Sequence, residues 1–149
     1  MDIALGPFST TRGGNKIEEF NNILNDNLKI KNFLNSIYRY HKLNIETLGI
    51  DLTVPSLDDI KSSNLNARCL MAFEIENKNS RKHIMGSIVN ASSLGRIAIG
   101  VAYKESVTKV FIRILNYLSF LESVDKTSYN TTNFLIITKE QLLSILNDE

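Results

Sequence analysis

The sequence predicts an α/β protein in which helices flank a mixed central β-sheet. The continuous apolar run Ile97–Tyr103 is typical of a strand covered on both faces. Apolar residues recur at helical spacing over 80–94 and 104–122, which predicts an amphipathic helix on each side of that strand. A further apolar strand is predicted over 68–77. Together these segments form a strand–helix–strand unit, whose two strands should be parallel with a right-handed crossover.

The rest of the chain divides into an N-terminal arm and the remainder of one domain. Residues 1–15 contain Gly6-Pro7 and Gly13-Gly14, which oppose regular structure and predict a flexible arm. Residues 16–149 have the usual length of one domain and contain no internal repeat or linker. The other predicted elements are a helix over 16–41 with a break near 25–27, a strand or hairpin over 43–54, a short helical turn capped by Ser56, a strand over 134–137, and a helix over 139–146 capped by Thr138.

Composition restricts the class of protein but says little about its function. Of the 149 residues, 43% are hydrophobic and 22% are charged, which is typical of a soluble globular domain. The net charge of +1 does not indicate nucleic-acid binding, so any anionic partner must be held by a local patch. The single cysteine, Cys69, excludes an internal disulfide framework. Neither a membrane-spanning run nor a secretory signal is recognisable, so we expect a cytoplasmic (intracellular) protein without membrane contact.

The strand over 68–77 carries acidic residues where a buried strand should carry apolar ones. Because side chains alternate along a strand, Glu74, Glu76 and Lys78 share one face. Burying one unpaired carboxylate costs free energy, and two neighbouring carboxylates also repel each other. A divalent cation such as Mg²⁺ prefers oxygen ligands and offsets their charge. The strand therefore predicts a metal site, which an aspartate from elsewhere in the chain would complete. A solvated edge strand is the alternative interpretation.

Two segments resemble the motif of the PD-(D/E)XK nuclease superfamily, the fold of type II restriction endonucleases and archaeal Holliday-junction resolvases. Ile50-Asp51-Leu52-Thr53-Val54 is similar to the first half of the motif, and Phe73-Glu74-Ile75-Glu76 to its Glu-x-Glu form. The resemblance covers roughly residues 16 to 137. It implies a restriction endonuclease-like fold and Mg²⁺-dependent hydrolysis of DNA phosphodiester bonds, with Mn²⁺ as a substitute. The sequence departs from the family pattern in two ways: no proline precedes Asp51, and Glu76 occupies the usual lysine position.

The resemblance also implies roles for individual residues. Asp51, Glu74 and Glu76 would bind the metal, and Lys78 would stabilise the charge of the transition state. Asp58 and Asp59 compete with Asp51 as the motif aspartate, since they lie closer in sequence to Glu74.

Further residues have weaker predicted roles. Glu18 is a candidate acid on the first helix, because many family members carry one there. Arg81, Lys82 and Arg96 are candidate contacts to DNA phosphates. His41 and His83 stand in no metal-ligand or catalytic spacing and are interpreted as structural.

The expected partner is duplex or branched DNA, bound by a homodimer whose symmetry would match a palindromic site. The alternative is a catalytically inactive nuclease-fold protein that binds DNA or another protein. The third interpretation is an unrelated α/β domain in which Glu74-Ile75-Glu76 is coincidental.

Overall fold

A computed structural model describes residues 1–9 and 16–147 of the chain. In chain order the elements are β1 (Ile3–Phe8), α1 (Ile17–Asp26), α2 (Leu28–Leu48), α3 (Leu57–Ser62), β2 (Cys69–Glu76), α4 (Arg81–Leu94), β3 (Gly95–Ala102), α5 (Glu105–Ser123), β4 (Phe134–Thr138) and α6 (Lys139–Asn147). The strands form an open four-stranded sheet in the order β1-β2-β3-β4 within this described part. β1 is antiparallel to β2, whereas β2, β3 and β4 are parallel. The predicted α/β class, mixed sheet and parallel β2–α4–β3 unit are therefore confirmed.

Helices cover both faces of the sheet and create two apolar cores. Helices α4 and α5 pack on the face that carries Ala72, Ala98 and Phe134. Helices α1, α3 and α6, with the first half of α2, pack on the face that carries Met71 and Phe73. Along β3 and β4, neighbouring residues thus contribute to opposite cores, as strand alternation requires.

Gly100 on β3 allows two aromatic rings to meet in the first of these cores. The rings of Phe111 and Phe134 stack with their centroids 5.8 Å apart. A Cβ atom at position 100 would lie 2.8 Å from the Phe134 ring and 2.9 Å from the Phe111 ring. A side chain at this position would therefore displace the pair.

The outer edge of β4 is covered by side chains from α2. The Ile136 N–H donates to Nδ1 of His41 at 3.0 Å, and Nδ2 of Asn44 donates to the Ile136 carbonyl at 3.1 Å. Burial lowers the pKa of His41 to about 4. The ring is therefore neutral near pH 7 and can accept this hydrogen bond, which blocks the edge against further strand pairing.

Two predictions of secondary structure are wrong. The strand expected over 43–54 is absent, because α2 continues to Leu48 and ends at Gly49, whose φ is 64°. The short apolar runs of residues 43–48 are compatible with either a helix or a strand, and packing against β4 favours the helix. Ile3–Phe8, expected in the arm, form edge strand β1 instead. An edge position tolerates glycine and proline because half of the backbone groups need no partner. Residues 10–15 of that arm lie outside the described residues.

Several local predictions are confirmed by hydrogen bonds. The first helical segment is broken at Asn27, between α1 and α2. The Ser56 hydroxyl accepts from the Asp59 N–H at 3.1 Å and caps α3. Thr138 and Gln141 exchange bonds of 3.2 and 2.9 Å in a capping box at the start of α6. In residues 1–9 and 16–147, no helix is both long and apolar enough to cross a lipid bilayer.

Candidate active site

The two acidic residues of β2 lie at its C-terminal end, on the face of the sheet that α4 covers. Glu74 and Glu76 are each only 5% exposed. Their registry partners on β3 are Gly100 and Ala102. Small residues on the neighbouring strand leave space for two carboxylates, and the sequence correctly predicts that the two share one face.

Helix α4 supplies polar partners for both carboxylates. Oγ of Ser87 donates to Oε1 of Glu76 at 2.6 Å, and Nε2 of His83 lies 3.1 Å from the same oxygen. Nδ2 of Asn90 donates to Oε1 of Glu74 at 2.9 Å. Positions 83, 87 and 90 are four and then three residues apart, so they form one stripe along the helix. The two glutamates and this stripe constitute one polar cluster, which we call the carboxylate cluster.

Sequence reasoning missed the three helical members of this cluster. The sequence shows His83 in no ligand or catalytic spacing, and it shows no motif at Ser87 or Asn90. The sequence does contain one signal for these three polar residues. They are spaced four and three residues apart, as on one side of a helix, and they adjoin the buried apolar positions Ile84 and Ile88. The stripe identifies partners of Glu74 and Glu76 only when α4 is known to pack over the acidic end of β2.

The carboxylate cluster opens into a cleft of about 610 Å³. Lys82, His83 and Gly86 line the cleft on the α4 side, together with Ser80 at the start of the helix. The α-amino group of Met1 lies within it, 2.7 Å from Oε1 of Glu74. Buried Glu74 and the lysine at the wall give the cleft charges of both signs.

The N-terminus of α4 forms part of the cleft wall and favours anions. Ser80 occupies the N-cap position, but its side chain accepts no bond from the first turn. Unpaired N–H groups there carry partial positive charge. Arg81 and Lys82 are exposed and have no ion-pair partner among the residues that the structure describes. Two cations at a helix N-terminus oppose its dipole, so their placement suits an external anion better than helix stability.

The predicted metal-binding triad is not assembled. Asp51 is exposed in the loop after α2, and its neighbours Leu52 to Pro55 line a small cavity beside Phe134, where β4 begins. Glu76 lies at the end of β2, two strands away. Since β2 and β4 run parallel, this cavity at the start of β4 and Glu76 at the end of β2 are at opposite ends of the strands. Accordingly, within residues 1–9 and 16–147, no group of three or more acidic, histidine or cysteine side chains is placed to hold a metal ion.

The competing aspartates also have local roles instead. Asp58 pairs with Lys61 at 2.9 Å, within the same short helix. Asp59 accepts from the Ser56 hydroxyl at 2.6 Å and so belongs to the cap of α3. Both side chains are explained by the geometry of α3, which packs against the opposite face of the sheet from Glu74.

Three further candidates lie away from the cleft lining. Strand β2 ends at Glu76, so Lys78 falls in the exposed turn that follows and does not share the strand face. Glu18 is exposed on α1, which packs on the opposite face of the sheet from α4. Arg96 is 2% exposed, and its guanidinium donates to the Asn64 carbonyl at 2.9 Å and to Oδ1 of Asn21 at 2.7 Å. Its predicted phosphate contact is wrong, because burial at the start of β3 removes it from solvent.

Comparison of the chain with protein-family models, with curated proteins and with solved structures finds no match. The carboxylate cluster and its cleft therefore carry the functional argument.

Proposed function

We propose that this protein is a metal-dependent nuclease that hydrolyses DNA phosphodiester bonds at the carboxylate cluster. The observation that carries the proposal is the pair Glu74 and Glu76, both buried on one strand face. Glu74 lines the open cleft, and Glu76 contacts His83 and Ser87, which line the same cleft. Burying two like charges side by side destabilises a fold, so their presence favours a chemical role. A restriction endonuclease-like fold belongs to the same proposal.

The donor set fits Mg²⁺, with Mn²⁺ as a substitute. Magnesium is usually held by one or two carboxylates, while waters and substrate phosphate oxygens complete its coordination. Glu74 lines a cleft with room for both waters and phosphate, and Glu76 follows two residues later on the same strand face. When bound, the ion would supply an activated water and neutralise charge on the scissile phosphate. The site therefore needs no third protein ligand, and Asp51 has no part in this proposal.

The chain's own residues have separate tasks in such a site. Lys82 and the first turn of α4 would hold the scissile phosphate, since both present positive charge to the cleft. His83 lies 3.1 Å from Glu76 and is exposed on its other side, so it can pass a proton between the cleft and solvent. Ser87 and Asn90 hold the two carboxylates in place through the bonds described above.

A second candidate is a DNA-binding protein of the same fold without catalytic activity. Both carboxylates already accept hydrogen bonds from α4 side chains. A purely structural cluster of buried acids would also require such partners. This candidate retains the phosphate contacts of Arg81 and Lys82 but predicts neither metal binding nor turnover.

The decisive experiment measures cleavage and metal binding separately. Supercoiled and branched DNA are incubated with the protein and Mg²⁺ or Mn²⁺, and metal binding is measured by titration calorimetry without DNA. The protein carries no N-terminal tag, because the α-amino group of Met1 lies 2.7 Å from Glu74. We expect Glu74→Gln and Glu76→Gln each to remove cleavage and to weaken metal binding, because glutamine keeps the shape and removes the charge.

Two matched substitutions serve as controls. Glu18→Gln and Asp51→Asn change acidic groups that lie outside the cleft, so both should retain cleavage. Loss of cleavage in Asp51→Asn but not in Glu74→Gln would refute the assignment of the site. Wild-type protein that is folded, binds DNA, and neither binds metal nor cuts would establish the second candidate instead.

A further inference from the structure

A groove on the outer surface of the α4–α5 helix pair adjoins the cleft of the candidate active site. Its floor is apolar and consists of Met85, Val110 and Ile114. Lys82 lines both the cleft and the groove, so the two share one wall. The groove has a volume of about 430 Å³, which lies in the range of sites for small organic groups.

Positive charge and an aromatic ring surround this apolar floor. Arg81, Lys82 and Arg113 line the groove, and none of the acidic side chains that the structure describes does. All three cations are exposed and lack an ion-pair partner in residues 1–9 and 16–147. Tyr117 lies in the lining with 48% of its surface exposed. The groove therefore suits a partner that combines negative charge with flat apolar groups.

We propose that the groove holds an unpaired strand of the DNA substrate, next to the bond cut in the cleft. This inference rests on the proposed nuclease function and specifies its substrate class. A base would stack on Tyr117 above the apolar floor, while the flanking phosphates contact the three cations. Base stacking on an aromatic side chain and a basic track along the backbone together characterise single-strand binding.

Intact duplex suits the groove less well than an unpaired strand. The faces of paired bases are covered by their neighbours in the helix, so duplex offers mainly phosphate and groove edges to a protein. Phosphate contacts would use Arg81, Lys82 and Arg113 but leave the apolar floor and Tyr117 exposed to water. The preferred substrate is therefore branched or partly single-stranded DNA.

Fluorescence anisotropy with a labelled oligothymidylate tests this proposal, in EDTA so that no cleavage occurs. Tyr117→Ala should weaken single-strand binding by roughly 5- to 160-fold, because base–aromatic stacking contributes about 1–3 kcal/mol. Tyr117→Phe should retain affinity, since the stacking ring remains. Phe120→Ala is the matched control, because Phe120 is 59% exposed on the same helix and outside the groove. Arg113→Ala should weaken binding and lower the dependence of log affinity on log salt by about 0.7.

Distinct results would overturn the inference. Equal losses in Tyr117→Ala and Phe120→Ala, or duplex binding that exceeds single-strand binding and ignores Tyr117, would refute it. So would a dimer in sedimentation that Tyr117→Ala converts to a monomer, because the groove would then bind a second copy. If cleavage depends on Glu74 but single-strand binding ignores Tyr117, only the groove assignment fails. If Tyr117 governs binding but metal-dependent cleavage is absent, the nuclease proposal fails alone.

Discussion

Acidification should destabilise this protein through His41, by an amount that follows from its burial. The His41 ring is 2% exposed, and its pKa is lowered from 6.5 to about 4 in the folded state. Above pH 6.5 the ring is neutral in both states, so the full stability is present there. Below pH 6.5 the unfolded chain binds a proton that the folded chain does not, and the free energy of unfolding therefore falls. The loss continues until the folded ring is protonated near pH 4.

The size of this effect follows from the two pKa values. At pH 5 the unfolded ring is almost fully protonated, whereas the folded ring is still almost neutral. With 1.36 kcal/mol for each unit of pKa difference, the contribution lost between pH 7 and pH 5 is about 2 kcal/mol. Over the whole interval down to pH 4 and below, the loss approaches about 3 kcal/mol.

Urea unfolding followed by circular dichroism at pH 7 and pH 5 measures this contribution. His41→Gln should be less stable at pH 7, because the buried Ile136 N–H loses the ring nitrogen that accepts its hydrogen bond. The expected cost is about 1–3 kcal/mol. Its loss of stability between the two pH values should be smaller than that of wild type by about 2 kcal/mol. The chain has two histidines, so His83→Gln is the matched control. An unchanged pH dependence in His41→Gln, with a flattened one in His83→Gln, would refute the reasoning.

Three other substitutions probe the packing around the sheet, and chemical denaturation measures each of them. Gly100→Ala should lower the free energy of unfolding by about 1–3 kcal/mol, because the new methyl group would lie 2.8 and 2.9 Å from two aromatic rings. An unchanged denaturation midpoint would contradict this, because it would mean that the Phe111 and Phe134 rings move apart at little cost. Gly86→Ala should stabilise by about 0.5–1 kcal/mol, because the site is helical and an added Cβ would have no atom of the described residues within 4 Å apart from its own helix backbone. Destabilisation would contradict this. Thr138→Ala should cost about 1 kcal/mol through loss of the α6 cap, and an equal loss in a Thr138→Ser variant would argue against the capping bond.

Local patterns in the sequence were sufficient to predict most of the sheet and its helices. The alternation in β2 predicts that Glu74 and Glu76 share a face, because strand geometry alone determines which way each side chain points. The helical periodicity before and after β3 predicts α4 and α5 for the same reason. Caps at Ser56 and Thr138 were also predictable, since the groups that bond there lie three residues apart. In each case the determining interactions are short in sequence.

Tertiary structure alone decided which residues complete the candidate site. His83 and Asn90 meet the glutamates only because α4 packs over the acidic end of β2. Asp51 lies outside the cleft lining because α2 extends to Leu48 and the loop after it packs beside Phe134 at the start of β4. Arg96 is buried through a bond to Asn21, 75 residues away, and His41 acts on β4 across 95 residues. Sequence periodicity predicts which side of its own helix or strand a side chain occupies. The residue that this side chain contacts depends on packing between elements that are distant in the chain.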